Sequence, residues 1–241
     1  MTATYVRSGT TVVVCLGLSL ALASCGVISP DVANFDLTLP DKKFAIDTGR
    51  WQVDSVEATR YLGMDCSQRA DVCNAVQLAC PMGCSGTCNA SYTCDLSLNI
   101  SASQKVDLVA EKPELQSIND EPVIKVTIDS VTYDVPSNTL NVNTPEITVY
   151  VAPLATTAVD LSDAEVKAIG TIAPVPAGWV TESPLMLKFT STGKAELVKI
   201  MSSFKTPFNV LVGSALVVTN GQAVPTGKLE AVVHIKGHAG I

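Results

Sequence analysis

Ile124-Lys125-Val126-Thr127-Ile128-Asp129-Ser130-Val131-Thr132-Tyr133-Asp134-Val135 is the stretch whose pattern decides the fold. Apolar residues take every second position, first Ile124, Val126 and Ile128 and then Val131, Tyr133 and Val135, which is the period of a strand with one buried face. The phase slips once, at Asp129-Ser130. One extra residue in an otherwise regular strand predicts a β-bulge or bend there.

The same period recurs on both sides. Upstream, Leu96, Leu98 and Ile100 alternate, followed by Val106 and Leu108; earlier still, Asn34 to Leu39 and Phe44 to Asp47 read as an opening strand pair across a Pro40-Asp41 turn. Downstream, Pro136-Ser137-Asn138 reads as a turn, Leu140 and Val142 as the returning partner, and Ile147, Val149 and Val151 as the next strand. Residues 152–183 are irregular, with a helical turn expected at Ser162 to Lys167, a short strand at Ile169 to Ile172, and Trp179 as a loop residue lidding the core. Leu185, Leu187 and Phe189 alternate again. Phe208 to Val218 and Lys228 to Ile235 flank Asn220-Gly221 and predict a closing hairpin, its connection lengthened by Pro225 and Gly227.

One helix interrupts the strands. Thr192 can cap a helix from Gly193 to Phe204 whose Leu197, Val198, Met201 and Phe204 share a face, and Pro207 ends it. The strands follow one another without crossover helices, which favours antiparallel pairing. Aromatics are only 5% of the chain while Val, Thr and Ile are plentiful, so sheet outweighs helix. The expected fold is mainly β: an antiparallel β-sandwich over residues 34–241 with one packed α-helix and a disulfide-rich, partly helical insertion at 62–95, and no second domain after it.

The insertion gathers Cys66, Cys73, Cys80, Cys84, Cys88 and Cys94. The first three stand seven residues apart and would line one face of a helix ended by Pro81 and Gly83. Running the remainder back along that helix makes a nested pairing the natural expectation: Cys80 with Cys84, Cys73 with Cys88 and Cys66 with Cys94. It is one of fifteen pairings. Three readings stand side by side: a staple for a segment too poor in apolar residues to have its own core, a rigid binding knob built on that staple, and a metal site, against which the absence of x2 spacing and of a nearby histidine both count.

Two cysteines lie outside this block. Cys15 belongs to an N-terminal segment with one charge, Arg7, then Val12 to Leu18, then small residues to Ser24, which reads as a secretory signal over residues 1–24. Leu22-Ala23-Ser24-Cys25 resembles the lipobox of bacterial lipoproteins, with an ordinary signal peptide as the alternative. The resemblance implies that Cys25 becomes the new N-terminus, carries a diacylglycerol and is acylated on its amine, and two or more chains are what firm anchoring requires. Gly26 replaces the aspartate of the inner-membrane retention signal, which implies the outer membrane, on either its periplasmic or its cell-surface face. Residues 25–33 would then be a tether. The lipobox, the β-rich body and the early cysteine block together resemble secreted lipoproteins of myxobacterial type, a resemblance that implies no activity.

The 16 basic residues less Arg7 leave 15 against 23 acidic, a net charge of −8 for the chain after such a cleavage. That balance argues against nucleic acid. His234 and His238 are the only histidines, spaced as solvated tail residues rather than as a metal pair, and Asp36, Asp41, Asp47, Asp54, Asp160 and Asp163 are scattered. No nucleophile elbow, phosphate loop or His-Glu-x-x-His motif is present. The sequence therefore points to a non-enzymatic envelope lipoprotein without catalytic residue, metal or cofactor, held to the membrane by its lipid and acting as a structural or partner-binding protein. The alternative is a carrier of lipid or another apolar ligand between the sheet and the helix at 193–204. A filled core with exposed apolar residues on the insertion would favour the first, a cavity of several hundred Å3 the second.

Overall fold

A computed structural model describes residues 35–117 and 125–240. The expected signal segment, the Leu22–Cys25 motif, the tether at 25–33 and Ile124 lie outside them. In chain order the described strands are β1 (Phe35–Asp36), β2 (Lys42–Asp47), β3 (Cys84–Cys88), β4 (Cys94–Val106), β5 (Lys125–Asn138), β6 (Ile147–Pro153), β7 (Lys167–Ile172), β8 (Leu185–Met186), β9 (Lys188–Phe189), β10 (Phe208–Val218) and β11 (Lys228–Gly240). Helices α1 (Ser55–Leu62), α2 (Leu108–Glu111) and α3 (Gly193–Ser202) lie between them.

The strands form two antiparallel sheets around a shared apolar core, a β-sandwich. The first runs β1-β11-β5-β8 with β2 also on β11, and the second β3-β4-β10-β6-β7-β9. In the first, β5 pairs with β11 from Lys125↔Gly240 to Asn138↔Leu229, and Ile128 faces Gly237 while Ser130 faces Lys236. Asp129 is thus the extra residue, and the bulge falls where the phase slips. A second irregularity sets Val135 and Pro136 against Ala231. A bulge is one of the few places a strand tolerates proline. Pro136-Ser137-Asn138 therefore makes no turn, contrary to expectation. The strand ends at Asn138, whose Nδ2 donates to Pro176 O at 2.9 Å and Trp179 O at 3.0 Å and whose Oδ1 accepts from Leu140 N at 3.0 Å. Leu140 and Val142 consequently lie in a loop rather than in a returning strand.

Three other pairings differ from the sequence reading for one reason: alternation reveals a strand but not its neighbour. β1 and β2 do not pair with each other. Both lie along β11, with Leu37 N and Leu39 N each 2.9 Å from Gly237 O and Ile235 O, so Pro40-Asp41 interrupts one edge strand rather than turning a hairpin. The alternation Leu185-Leu187-Phe189 is split, β8 joining β5 and β9 joining β7, while buried Leu187 carries the chain from one sheet to the other. β10 and β11 belong to different sheets, so residues 219–227 arch between sheets and no hairpin forms. β10 instead pairs with β4 along its whole length and with β6 over Phe208 to Gly213, as its unbroken buried run from Phe208 to Gly213 befits a central strand.

Helix α3 buries Leu197 and Met201 completely, as its apolar stripe predicts, but ends at Ser202 and lacks a side-chain cap from Thr192. Gly193 lies against the Ile169 backbone, where a Cβ would collide with the carbonyl. Ser162 to Val166 forms turns rather than a helix, and Lys167 already begins β7. The apolar space between the sheets, bordered by Phe44, Ile100, Val212 and Val233, is only about 20 Å3. Outside the second sheet, Tyr150, Ala152 and Leu211 make a small second cluster under Val159 and Val166; Asn209, buried beside it, donates to Leu154 O and Thr156 O, both at 2.9 Å.

Candidate functional site

The cysteine block begins at α1, capped by Asp54, whose Oδ1 accepts from Val56 N and Glu57 N, both at 2.9 Å. Residues Ala70–Leu78 then form a 3-10 helix rather than the expected α-helix, and Cys66 lies before it. Gly83, at φ +71°, turns the chain into β3, which covers β4 from Cys94 to Leu98.

The disulfides are Cys66–Cys88, Cys73–Cys94 and Cys80–Cys84. The expected Cys80–Cys84 bond is present, whereas the other two expected pairs exchange partners. Two local features decide the exchange. Asp65 bridges Thr93 and Cys66 N donates to Tyr92 O at 2.9 Å, which holds Cys66 beside the 89–93 turn and hence beside Cys88. Cys73, carried at three residues per turn instead of 3.6, falls over fully buried Cys94. The Sγ atoms of Cys66, Cys73 and Cys94 lie within 4.8 Å of one another, so spacing along the chain could not have chosen between the pairings.

The block is not an appendage closed only by its own staples. Cys66, Cys73, Val76, Ala79, Cys80 and Cys94 belong to the same apolar cluster as Leu96 and Leu98 of the sandwich. Tyr61 fastens the junction: its hydroxyl donates to Cys73 O at 2.8 Å and reaches Asp95 O at 3.3 Å, and burial, reinforced by the Asp95 charge, pushes its pKa up to about 12. Trp51 packs at the rim and donates from Nε1 to Asn99 O at 3.0 Å. On the outer side Leu78, Met82 and Tyr92 are 67%, 55% and 60% exposed.

The histidines are not tail residues. His234 stands in mid-strand on β11 with both ring nitrogens engaged, Nδ1 to Asp41 Oδ1 and Nε2 to Asp134 Oδ2, each at 2.7 Å. The bond to Asp134 raises its pKa, burial opposes, and the bond and charge of Asp41 add to the rise. A ring clamped on both sides with its pKa raised favours the imidazolium, in which both nitrogens donate and tie the 40–41 link, β11 and β5 together. His238 Nδ1 meets Asp129 on the bulge at 3.0 Å. The scattered acids are likewise engaged locally: Asp36 with Thr38 N at 2.8 Å, Asp47 with Lys228 at 2.7 Å, Asp160 with Ser162 N at 2.9 Å and Asp163 with Glu165 N at 2.8 Å. Trp179 does not lid the core. It is 39% exposed, beside Val180 and Leu185, on the loop bordering the free edge of the first sheet.

Compared with known proteins, the chain matches no family model, no curated protein and no solved structure.

Proposed function

We propose that this chain is a lipid-anchored, non-catalytic protein of the bacterial outer membrane whose sandwich presents the cysteine block to a partner in the envelope. The observation that carries this reading is the conjunction of a filled core with apolar exposure on the block. About 20 Å3 of apolar space between the sheets is about one water's worth and far too little for an acyl chain. Beneath α3 the space is filled by completely buried Leu197 and Met201, the groove of about 380 Å3 beside that helix being open and walled in part by Glu165, Lys167, Glu196 and Lys199. Leu78, Met82 and Tyr92, by contrast, stand in solvent on a disulfide-fixed scaffold. A cross-linked backbone loses little conformational entropy on binding.

Position along the strands supports it further. The chain enters the described body at Phe35, opposite Ala239, whereas Gly83 and Trp51 meet Asn99 near the end of β11 that starts at Lys228. Ten or so strand residues at roughly 3.4 Å each separate those ends. The block thus lies at the opposite end of these strands from Phe35.

Native mass spectrometry of the Cys25→Ala chain, purified from the periplasm, tests the reading against the carrier alternative. The expected species is six hydrogens short of the reduced chain, from three disulfides, with no adduct. A lipid-sized adduct would overturn it in favour of the carrier. Photocrosslinkers at Leu78 and Met82 in the anchored protein should capture a discrete envelope component that a crosslinker at Lys228 does not.

A further inference from the structure

We propose that the cleft between β2 and the uncovered half of β4 is a second binding surface, one that takes an extended, acidic polypeptide segment by strand addition. It shares no residue with the cysteine block and does not depend on the anchor.

The argument starts from unfinished backbone pairing. β3 covers β4 only as far as Leu98, and beyond it the outer edge of β4 has no strand partner. Both ends of that open edge are bridged. Asn99 N donates to Gly83 O at 2.9 Å and Asn99 O accepts from Trp51 Nε1 at 3.0 Å, while Lys105 O accepts from Lys42 Nζ at 3.4 Å. Backbone groups on an antiparallel strand alternate sides, so Ser101 and Ser103, of the same parity, turn their N–H and C=O groups the same way. Among the described residues these groups have no protein partner.

The opposite wall repeats the pattern. Lys43 O accepts from Gln104 Nε2 at 2.8 Å, which shows that Lys43 faces β4, and Ala45 faces it too, because Phe44 and Ile46 are the residues turned to β11. Two strand edges therefore flank a cleft of about 570 Å3. Its corner is fixed by Lys42, which pairs with Glu111 at 2.6 Å in a largely buried contact.

What lines the cleft selects its occupant. Ala45, Ala102 and Ala231 make a low floor that leaves room for a backbone to approach, and Lys43, Arg50 and Glu230 stand at the rim. Lys43 has no ion-pair partner among the described residues. Arg50 helps to lower the pKa of Asp47, whose carboxylate is bound to Lys228 at 2.7 Å. Two such cations against one carboxylate favour an acidic segment. A sugar would find no exposed aromatic face on which to stack, since the Phe44 ring is buried, and would leave the paired donors and acceptors of two strand edges largely unused. An extended polypeptide matches them at every second residue.

Amide hydrogen exchange on the soluble Cys25→Ala chain tests this. The probe is an end-blocked peptide of about five residues, the length of edge between the bridges, alternating threonine and alanine with a central glutamate; a central-lysine version and a sulfated oligosaccharide serve as comparators. With the glutamate peptide at about 1 mM, a concentration suited to weak association, exchange at Ser101, Ser103 and Ala45 should slow by about tenfold or more, and the lysine peptide should do less. Lys43→Glu with Arg50→Glu should reverse that preference. Ser103→Pro, which deletes an N–H no other protein group uses, should abolish the slowing, and the charge reversal decides if the proline variant does not fold. Unchanged exchange at these amides, slowing only elsewhere, or slowing by the oligosaccharide and not by either peptide would overturn the proposal.

Discussion

Two edges of this sandwich are covered in opposite ways. Along β4, the edge is covered by β3 and the 3-10 helix of the cysteine block, tied by three disulfides and packed into the common core. Along β11, the edge is covered by β1 and β2, a single broken strand that no covalent bond holds. There the fastenings are backbone pairs, buried Leu37 and Leu39, and an imidazolium between two carboxylates. Both devices shorten the exposed edge that invites pairing with another chain, the first along Cys94 to Leu98 only. They differ in what undoes them. The first answers to reductant and barely to pH, the second to pH and not to reductant.

The largest break in that contrast should come from Cys73→Ala with Cys94→Ala. A loop of this length is worth about 3 kcal/mol of unfolded-state entropy, and both positions are buried, so a packing loss adds to it. Thermal unfolding of the variant should show a lower midpoint with a single transition. Because the block shares the sandwich core, exchange protection should fall along β4 and β10 as well as within 62–95. Loss confined to 62–95 would mean that the block is an independent unit.

Gly86→Ala comes next. A Cβ there collides with the Tyr61 hydroxyl and with Cys73 O, so overpacking should cost about 2 kcal/mol. Tyr61→Phe is milder: it leaves Cys73 O without its donor in a buried site, about 1–2 kcal/mol by denaturant unfolding. Combining it with Gly86→Ala should cost less than the sum, since the phenylalanine removes the atom that the new methyl strikes. Strict additivity would show that the two do not meet.

The smallest effect belongs to the other edge. His234 has a raised pKa in the folded chain. Its contribution is therefore fully present below the unfolded value near 6.5 and is lost as pH rises through the folded value. His234→Gln should destabilise by about 1 kcal/mol at pH 5.5, in keeping with partly exposed ion pairs, and by less at pH 9. A penalty independent of pH would remove the charged clasp from the account. The cysteine variants serve as the control, since their penalties should not change between these conditions.

Much of this was written in the chain. Alternation at Leu96 to Ile100, Val126 to Val135 and Phe208 to Val218 placed strands, the phase slip placed the bulge at Asp129, and the stripe on 193–204 placed the helix, because side-chain period reflects only local geometry and the existence of an inside. The bond between Cys80 and Cys84 was legible because Pro81 and Gly83 turn the chain back beside Cys80.

What only the tertiary structure decided was adjacency. Asn220-Gly221 looked like a hairpin, yet β10 and β11 each found other partners in different sheets. Leu185 to Phe189 looked like one strand, yet Leu187 carries it across the core. Cys66, Cys73 and Cys94 bring their sulfurs together from a loop, a 3-10 helix and a strand, and their pairing was settled by the turn at 89–93 and the tighter winding of 70–78. His234 read as a solvated tail because its two carboxylates lie 193 and 100 residues away. Local sequence sets which face of a strand is buried; which strand lies beside it, and which distant charge meets a side chain there, follows from packing the whole chain at once.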